Sequence, residues 1–335
     1  MRVDLPAGLT YTYTVDPLNV EHILKNFANY PKGDAFKENM HIFLGDGIFN
    51  ADGEEWHRQR KTASFEFSSK ILHDFSTVVF KEYTLNLAVI LDNAATAHQA
   101  VDMQDLFMRM TLDAICKISF GVEMGPFAPS LPTIPFAKAF KTTNEIVTAC
   151  FVDPLWKLKR FLNVSSEATV VQSAKEIDDF VYNVIHTRRS ELKELQQSQN
   201  GDHLAHSEDP KGVIADDLLP DGTKVKKGSL VVYVAYAMGC MTALWGADAC
   251  DFKPERWLKD GVVQPESPFK FTAFQAGPRI CLGKDSAMLQ LKMAISILCR
   301  FFKFQVFLGF PVKLRQMSTL LLAGGLKVTV TKRMT

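Results

Sequence analysis

A chain of 335 residues, 47% apolar and 22% charged, is long enough for one large core or two ordinary ones and falls in the range of a globular protein. Its net charge of +1 excludes a strong long-range field, and no basic stretch with interleaved aromatics offers a nucleic-acid surface. Six cysteines without a CxxC pair exclude a zinc or redox-pair motif and the dense disulfide framework of a small secreted domain, so thiols in a reducing compartment are the simplest reading.

Residues 1–14 are mixed and polar and read as neither a signal peptide nor a membrane anchor. Asp16-Pro17 is a cap followed by a first-turn proline, and Leu18, Ile23, Leu24 and Phe27 recur at helical spacing over 16–28. Residues 34–53, with Gly45, Gly47 and Gly53, read as loop. A helix is predicted from Gly53-Glu54-Glu55, whose acids suit a first turn, through Trp56 to Phe65. Ser68-Ser69 is set to cap the next, with Ile71, Leu72, Phe75, Val78 and Val79 inward. Residues 102–120 form another, with Leu106, Met110, Ile115 and Ile118 on or near one face. Four prolines make 125–135 a loop. Two further helices span 136–150 and 166–197, the second ending in a solvated polar face.

Residues 198–212 have a linker composition and divide the chain into a helical part, 1–200, and a second part, 208–335. Beyond the boundary the pattern turns to β, and Leu218-Leu219, Asp221-Gly222, Val225 and residues 230–233 read as a hairpin. Residues 228–245 carry no charge over 18 positions, near the lower limit for a membrane span. Their Val and Tyr content and Gly239 argue instead for a buried strand followed by loop. Residues 246–283 are long, irregular and rich in Pro, Gly and aromatics, the kind of stretch that carries function. Residues 284–302 form a helix apolar on most sides, predicted to be buried, and 326–330 alternate as a strand.

Phe274-Gln275-Ala276-Gly277-Pro278-Arg279-Ile280-Cys281-Leu282-Gly283 runs into that last helix. A cysteine at a helix N-terminus meets unpaired N–H groups and the positive end of the dipole, and both lower a thiol pKa. A thiolate is the ligand that pushes electron density onto haem iron and favours O–O cleavage. Gly277 and Gly283 permit backbone conformations and close approaches that a side chain forbids, and Arg279 offers a fixed cation for a carboxylate.

These ten residues resemble the haem signature of the cytochrome P450 family, Phe-x-x-Gly-x-Arg-x-Cys-x-Gly, at every defined position. Trp56 and Arg60, spaced i and i+4 on one helix face, resemble the family's Trp-x-x-x-Arg pair, which holds a haem propionate. His57 between them is not a convincing ligand. Phe252-Lys253-Pro254-Glu255-Arg256-Trp257 resembles the Pro-Glu-Arg segment, whose arginine joins a Glu and an Arg of an upstream helix in a buried triad. Asp16-Pro17-Leu18-Asn19-Val20-Glu21-His22-Ile23-Leu24, Gly45-Asp46-Gly47-Ile48-Phe49, Ser267-Pro268-Phe269-Lys270-Phe271 and Gly283-Lys284-Asp285 are similar to the plant fatty-acid ω-hydroxylase branch. The resemblance runs from about residue 15 to the end.

It implies a mostly α fold with a small β portion, the cytochrome P450 fold. Haem b would take Cys281 as axial thiolate, with Arg279, Trp56 and Arg60 at the propionates, Phe274 beside the cysteine, and Gly277 and Gly283 shaping the loop. The implied chemistry is monooxygenation of a long-chain fatty acid near its ω end. Electrons would come from NADPH through a cytochrome P450 reductase, at the endoplasmic reticulum membrane, although this chain shows no anchor. Residues 43–49 and 319–323 are candidates for substrate contact.

Two family elements are absent. A central helix with Ala/Gly-Gly-x-Asp/Glu-Thr, which delivers protons to bound oxygen, has no counterpart. Glu-x-x-Arg occurs only as Glu55-Trp56-His57-Arg58, overlapping the propionate motif. Both elements belong between Gln199 and Glu208, so the fold is expected to be incomplete in the middle, with apolar surface bared and Arg256 left as a costly buried charge without its triad. The alternative this leaves is a non-catalytic haem-binding chain that lacks oxygen activation. Cys240, in Met238-Gly239-Cys240-Met241, stands where members of the family usually carry arginine.

Overall fold

Helices begin where local chemistry satisfies their first amides. The computed structural model describes residues 1–4, 10–125, 134–192, 208–307, 309, 313–317 and 319–333. Helix α1 (Pro17–Lys25) opens on its proline while the Asp16 carboxylate accepts from the Leu18 amide at 2.8 Å. Helix α2 (Gly33–Leu44) replaces the loop expected over 34–53. Phe36 and Met40 lie one turn apart and are both buried, an apolar face that the neighbouring glycines disguise, and the loop is confined to the residues after Leu44. Helices α3 (Gly53–Phe67) and α4 (Lys70–Thr96) follow as anticipated. The inward face of α4 is Ser76, Val79, Phe80, Tyr83, Leu87 and Leu91, whereas Ile71 and Phe75, ahead of the first buried position, and Val78, on another face of the helix, are exposed.

Helix α5 (Met103–Phe120) is capped by Asp102 and ends on Gly121 in the left-handed conformation. Helices α6 (Pro135–Ala149) and α8 (Ser166–Leu192) were expected, and the short α7 (Trp156–Phe161) between them was not. The proline-rich residues 126–133, the predicted helix end at 193–197 and the linker residues 198–207 lie outside the described residues.

Strands β1 (Arg2–Asp4), β2 (Thr10–Thr14), β4 (Glu208–Gly212) and β7 (Leu230–Val234) form one sheet in the order β1-β2-β7-β4. Only β2–β7 is parallel, with Tyr11 opposite Leu230 and Tyr13 opposite Val232. Residues 208–212 are therefore strand rather than linker; an edge strand tolerates the Pro210 that made the segment look irregular. The predicted hairpin resolves into β5 (Asp217–Leu218) and β6 (Lys224–Val225), with β7 leaving for the larger sheet. After β7 the chain forms the short helices α9 (Ala235–Gly239) and α10 (Thr242–Trp245) instead of loop. Two more pairs are β8 (Leu258–Lys259) with β9 (Val262–Val263), and β11 (Leu314–Gln316) with β12 (Leu320–Leu322).

Helix α11 (Lys284–Phe301) leads into β10 (Phe302–Val306), which pairs with β13 (Lys327–Lys332) and through it with β3 (Val101–Asp102). The largest core lies between α4, α5, α11, β10 and β13, with Phe80, Tyr83, Leu87, Leu106 and Met110 against Leu298 and Val330. Helix α11 is not buried all round, as its composition suggested. Ala294 and Leu298 face this core, but Leu291 and Ile295 remain 52% and 59% exposed on another side, beside Met288. Among the described residues no helix is long and apolar enough to cross a membrane.

Candidate haem-thiolate site

The loop ahead of α11 is closed by its own backbone. The Cys281 amide donates to the Phe274 carbonyl at 2.9 Å and the Ile280 amide to the Gly277 carbonyl at 3.1 Å, around a 3-10 turn over Gly277–Arg279. Gly277 has φ +67°, and a Cβ there would lie 2.6 Å from the Leu24 carbonyl oxygen of α1. Glycine is required at that position by both conformation and space. Gly283 takes φ −86°, a conformation open to any residue, so the positive φ that requires glycine is found at Gly277. Next to Gly277, Ala276 is buried among Val20, Leu24, Tyr233 and Met238, which locks the loop to α1, β7 and α9.

Cys281 is half-buried, and its sulfur receives the Gly283 and Lys284 amides at the start of α11. Burial pushes its thiol above the ordinary value, while the two amides and the nearby Arg60 cation pull it down. The helix N-terminus acts as the sequence suggests, but desolvation is larger, so the net direction is upward rather than downward.

Trp56 is buried on α3, and the Arg279 guanidinium stacks over its ring at 4.5 Å. Arg279 donates to the Asp52 carboxylate at 2.5 Å and to the Ala51 carbonyl at 3.1 Å. Asp52 also accepts the Lys32 and Gly33 amides, at 3.0 and 3.1 Å, and lies 3.3 Å from the Lys37 ammonium. The carboxylate anticipated for Arg279 is thus supplied in part by the chain itself. Asp52 was missed because it looks like the N-cap of α3, yet its side chain makes no cap bond there.

Among the described residues one buried donor is unmet and one cation has no carboxylate partner. The Nε–H of Arg279 is buried without an acceptor. Arg60 is partly buried, and among the described residues no carboxylate pairs with it. Burial lowers its pKa, the Cys281 sulfur opposes that and Arg279 adds to it, which places the two guanidinium groups and the sulfur within one another's field. The fold therefore gathers Trp56, Arg60, Arg279 and Cys281, and Phe274 through its carbonyl. A thiol at a helix N-terminus beside two cations with unused donors suits a group that carries both a metal and carboxylates, and haem is such a group. Among the described residues no three His, Cys, Asp or Glu side chains gather to hold a metal by themselves.

Other expectations land elsewhere. Arg256 is not stranded: it donates to the Trp245 carbonyl at 3.0 Å and the Asp248 carbonyl at 2.7 Å, and lies 3.4 Å from the Asp248 carboxylate. Glu55 and Arg58 form an exposed pair on α3, far from the buried partnership that Glu-x-x-Arg makes in the family. His57 packs on Trp56 and Phe27. In 43–49, Phe43 packs edge-on against Phe140 of α6, and in 319–323 the Leu322 backbone is held by Gln104. A cleft of about 680 Å³ lies against α2, α3 and α7, bordered by Lys37, His41, Asp52, Trp156 and Arg160 but not by Cys281.

The family model described as Cytochrome P450 matches residues 8–212 and 202–330. The chain belongs to the cytochrome P450 family. Cytochrome P450 704B1 of Arabidopsis thaliana is 45% identical over 97% of this chain and 87% of its own length. Cytochrome P450 704C1 of Pinus taeda is 39% identical over 99% and 86%, and cytochrome P450 86B1 of Arabidopsis thaliana 34% over 98% and 78%. The haem domain of cytochrome P450DA, 15% identical, shares the fold with a TM-score of 0.76 over 100% of this chain and 90% of that one. The two matched segments overlap over residues 202–212. The alignment with cytochrome P450 704B1 runs over 455 residues against 335 in this chain, so at least 120 of its positions face no residue here.

Proposed function

We propose that this chain holds haem b on Cys281 and that the site is built for monooxygenation of a long-chain fatty acid near its ω end. The convergence of Cys281, Arg60 and Arg279 at the start of α11 carries the reading. Haem, when bound, supplies the oxygen activation, with electrons from NADPH through a cytochrome P450 reductase. The chain's own residues do the rest. Cys281 offers sulfur to the metal, and the Gly283 and Lys284 amides stabilise charge on it. Arg60 and the Nε–H of Arg279 offer donors to the propionates, and Asp52 and Trp56 fix the Arg279 plane in advance. The Phe274 carbonyl and Gly277 hold the loop closed around the cysteine. Resemblance to the plant fatty-acid ω-hydroxylase branch supports the substrate class. Exposed Leu158, Phe161 and Leu162 on and after α7 support a place against a membrane surface such as that of the endoplasmic reticulum, whereas the neighbouring Lys157, Lys159 and Arg160 are paired with Glu38, Asp153 and Glu167.

A second reading, a haem-binding chain without oxygen activation, is favoured by the interruption of at least 120 aligned positions and by the bare Met288–Leu291–Ile295 stripe of α11. The carbon-monoxide difference spectrum of the reduced, purified chain tests both. The red-shifted band of thiolate-ligated haem, with fatty-acid hydroxylation when reductase and NADPH are added, supports the first. The band without turnover supports the second. Haem without thiolate, or no haem, overturns both.

A further inference from the structure

Cys240 and Cys250 are ten residues apart and do not form a recognisable motif in the sequence. Folding brings them together. Cys240 follows α9 as its C-cap, and the chain then turns back through α10. The fold-back is pinned by the Trp245 indole, which donates to the Met238 carbonyl at 2.8 Å, and by Arg256 on the carbonyls of Trp245 and Asp248. The Cys250 sulfur thereby lies 3.8 Å from the Cys240 carbonyl oxygen. That contact places the Cys250 side chain against residue 240, near enough for the Cys240 thiol to act on it, and Tyr236 is within reach of the same field. Cys250 is exposed and Cys240 partly so, and both are open to a small reagent. The Cys240 thiol, followed by Asp251, pushes the Cys250 thiol upward, as two neighbouring acids that cannot both ionise must. Cys116 and Cys150 are buried, Cys281 sits in the haem loop, and Cys299 lies on α11.

We propose that Cys240 and Cys250 form a dithiol site that closes to an intramolecular disulfide under hydrogen peroxide. One thiolate attacks a peroxide oxygen, the O–O bond breaks, and a sulfenic acid forms with release of one water. The second thiol displaces the hydroxyl of that sulfenic acid, giving the S–S bond and a second water. Two thiols lose two electrons and two protons, and the peroxide takes both. The site owes nothing to the haem signature, since the resemblance places arginine at 240. Its closure links α9, whose Met238 packs on Ala276 of the cysteine loop, to the segment after α10.

The test uses the full chain as purified, carrying Cys299→Ser to prevent cross-linking between molecules. No Lys or Arg lies between the two cysteines, so trypsin keeps them on one peptide, whereas chymotrypsin can cut after Leu244 or Trp245. After peroxide and alkylation, the chymotryptic fragments carrying Cys240 and Cys250 are expected as one joined species, two hydrogens lighter than their sum, which reductant separates. Cys240→Ser and Cys250→Ser each abolish it. Phenylarsine oxide, which needs two adjacent thiols, is expected to bind once to the reduced chain and not to either variant. Separate alkylation or separate over-oxidation of the two cysteines without a joined species overturns the proposal. So does arsenical binding that survives either serine variant.

Discussion

Asp52→Ala should be among the most damaging single substitutions around the cysteine loop, although the position is not itself part of the P450 signature. The side chains of Asp52 and Arg279 are 13% and 9% exposed. Breaking such a buried pair leaves a cation without its partner, at about 3–5 kcal/mol. The Lys32 and Gly33 amides also lose their acceptor, but water can reach part of that site, so the total is expected near the top of the range and not beyond it. That is a large fraction of the roughly 5–15 kcal/mol that holds a domain folded. Arg279→Met alone should cost less, about 1–2 kcal/mol, because Asp52 keeps Lys37 and two amides. The double variant should be more stable than Asp52→Ala alone, since no stranded guanidinium remains. Urea unfolding of the four chains, followed by circular dichroism, gives the coupling directly. Additivity within about 0.5 kcal/mol, or a cost of Asp52→Ala below about 1 kcal/mol, would refute the claim that Asp52 is what holds Arg279.

Gly277→Ala meets both a left-handed φ and the Leu24 carbonyl at 2.6 Å, so it should destabilise by about 1–3 kcal/mol and loosen the Cys281 loop; thermal unfolding and haem retention measure the two effects. Lys211 is fully buried against Asp209; burial lowers its ammonium to about 7, with Asp209 opposing and Lys32 and Arg279 adding to the effect. The folded chain then binds fewer protons than the unfolded one between about pH 7 and the ordinary 10.5, so stability rises with pH across that window. Lys211→Met should flatten the rise, worth roughly 5 kcal/mol in full, in urea midpoints measured across it. Leu291→Glu with Ile295→Glu should change stability by no more than about 0.5 kcal/mol per site while raising solubility; a loss of about 2 kcal/mol or more would mean that the stripe is covered.

What was legible in the sequence followed from strong local chemistry. Asp16-Pro17 announces α1, and the spacing of Trp56 and Arg60 places them on one face of α3. The Phe274–Gly283 signature meets Trp56 and Arg60 in space because Asp52 and Leu24 clasp its arginine and its glycine. Those two partners carry no sequence signal of their own: Leu24 acts through a backbone carbonyl, and Asp52 stands in the guise of a helix cap. Helix α2 was hidden by glycines on both sides of a valid apolar face. The exposure of α11 could not be read from composition, since an apolar side chain looks the same whether its partner is present or not. Arg256 was expected to be stranded because its charged partners are missing, yet carbonyls from its own loop satisfy a guanidinium as well as carboxylates do geometrically.

The interruption divides the site by function and not by stability alone. Among the described residues the contacts that close the Cys281 loop include α1 through Leu24, the turn before α3 through Asp52, α3 through Trp56 and Arg60, β7 through Tyr233 and α9 through Met238. None of them depends on the at least 120 aligned positions that have no residue here. The parallel β2–β7 pair and the antiparallel β13–β3 pair join the two parts of the chain across the boundary, so the frame behind the loop is continuous. What lies bare is another side of α11, where Met288, Leu291 and Ile295 face solvent. On the proposed reading the chain keeps the residues that would offer sulfur and cations to a haem, while the family's proton-delivering motif is missing. Metal ligation and oxygen activation should therefore separate experimentally in this molecule: substitutions at Asp52, Arg60 or Gly277 should weaken haem binding even if no turnover is ever seen, and restoring turnover should require added structure over α11 rather than any change in the loop.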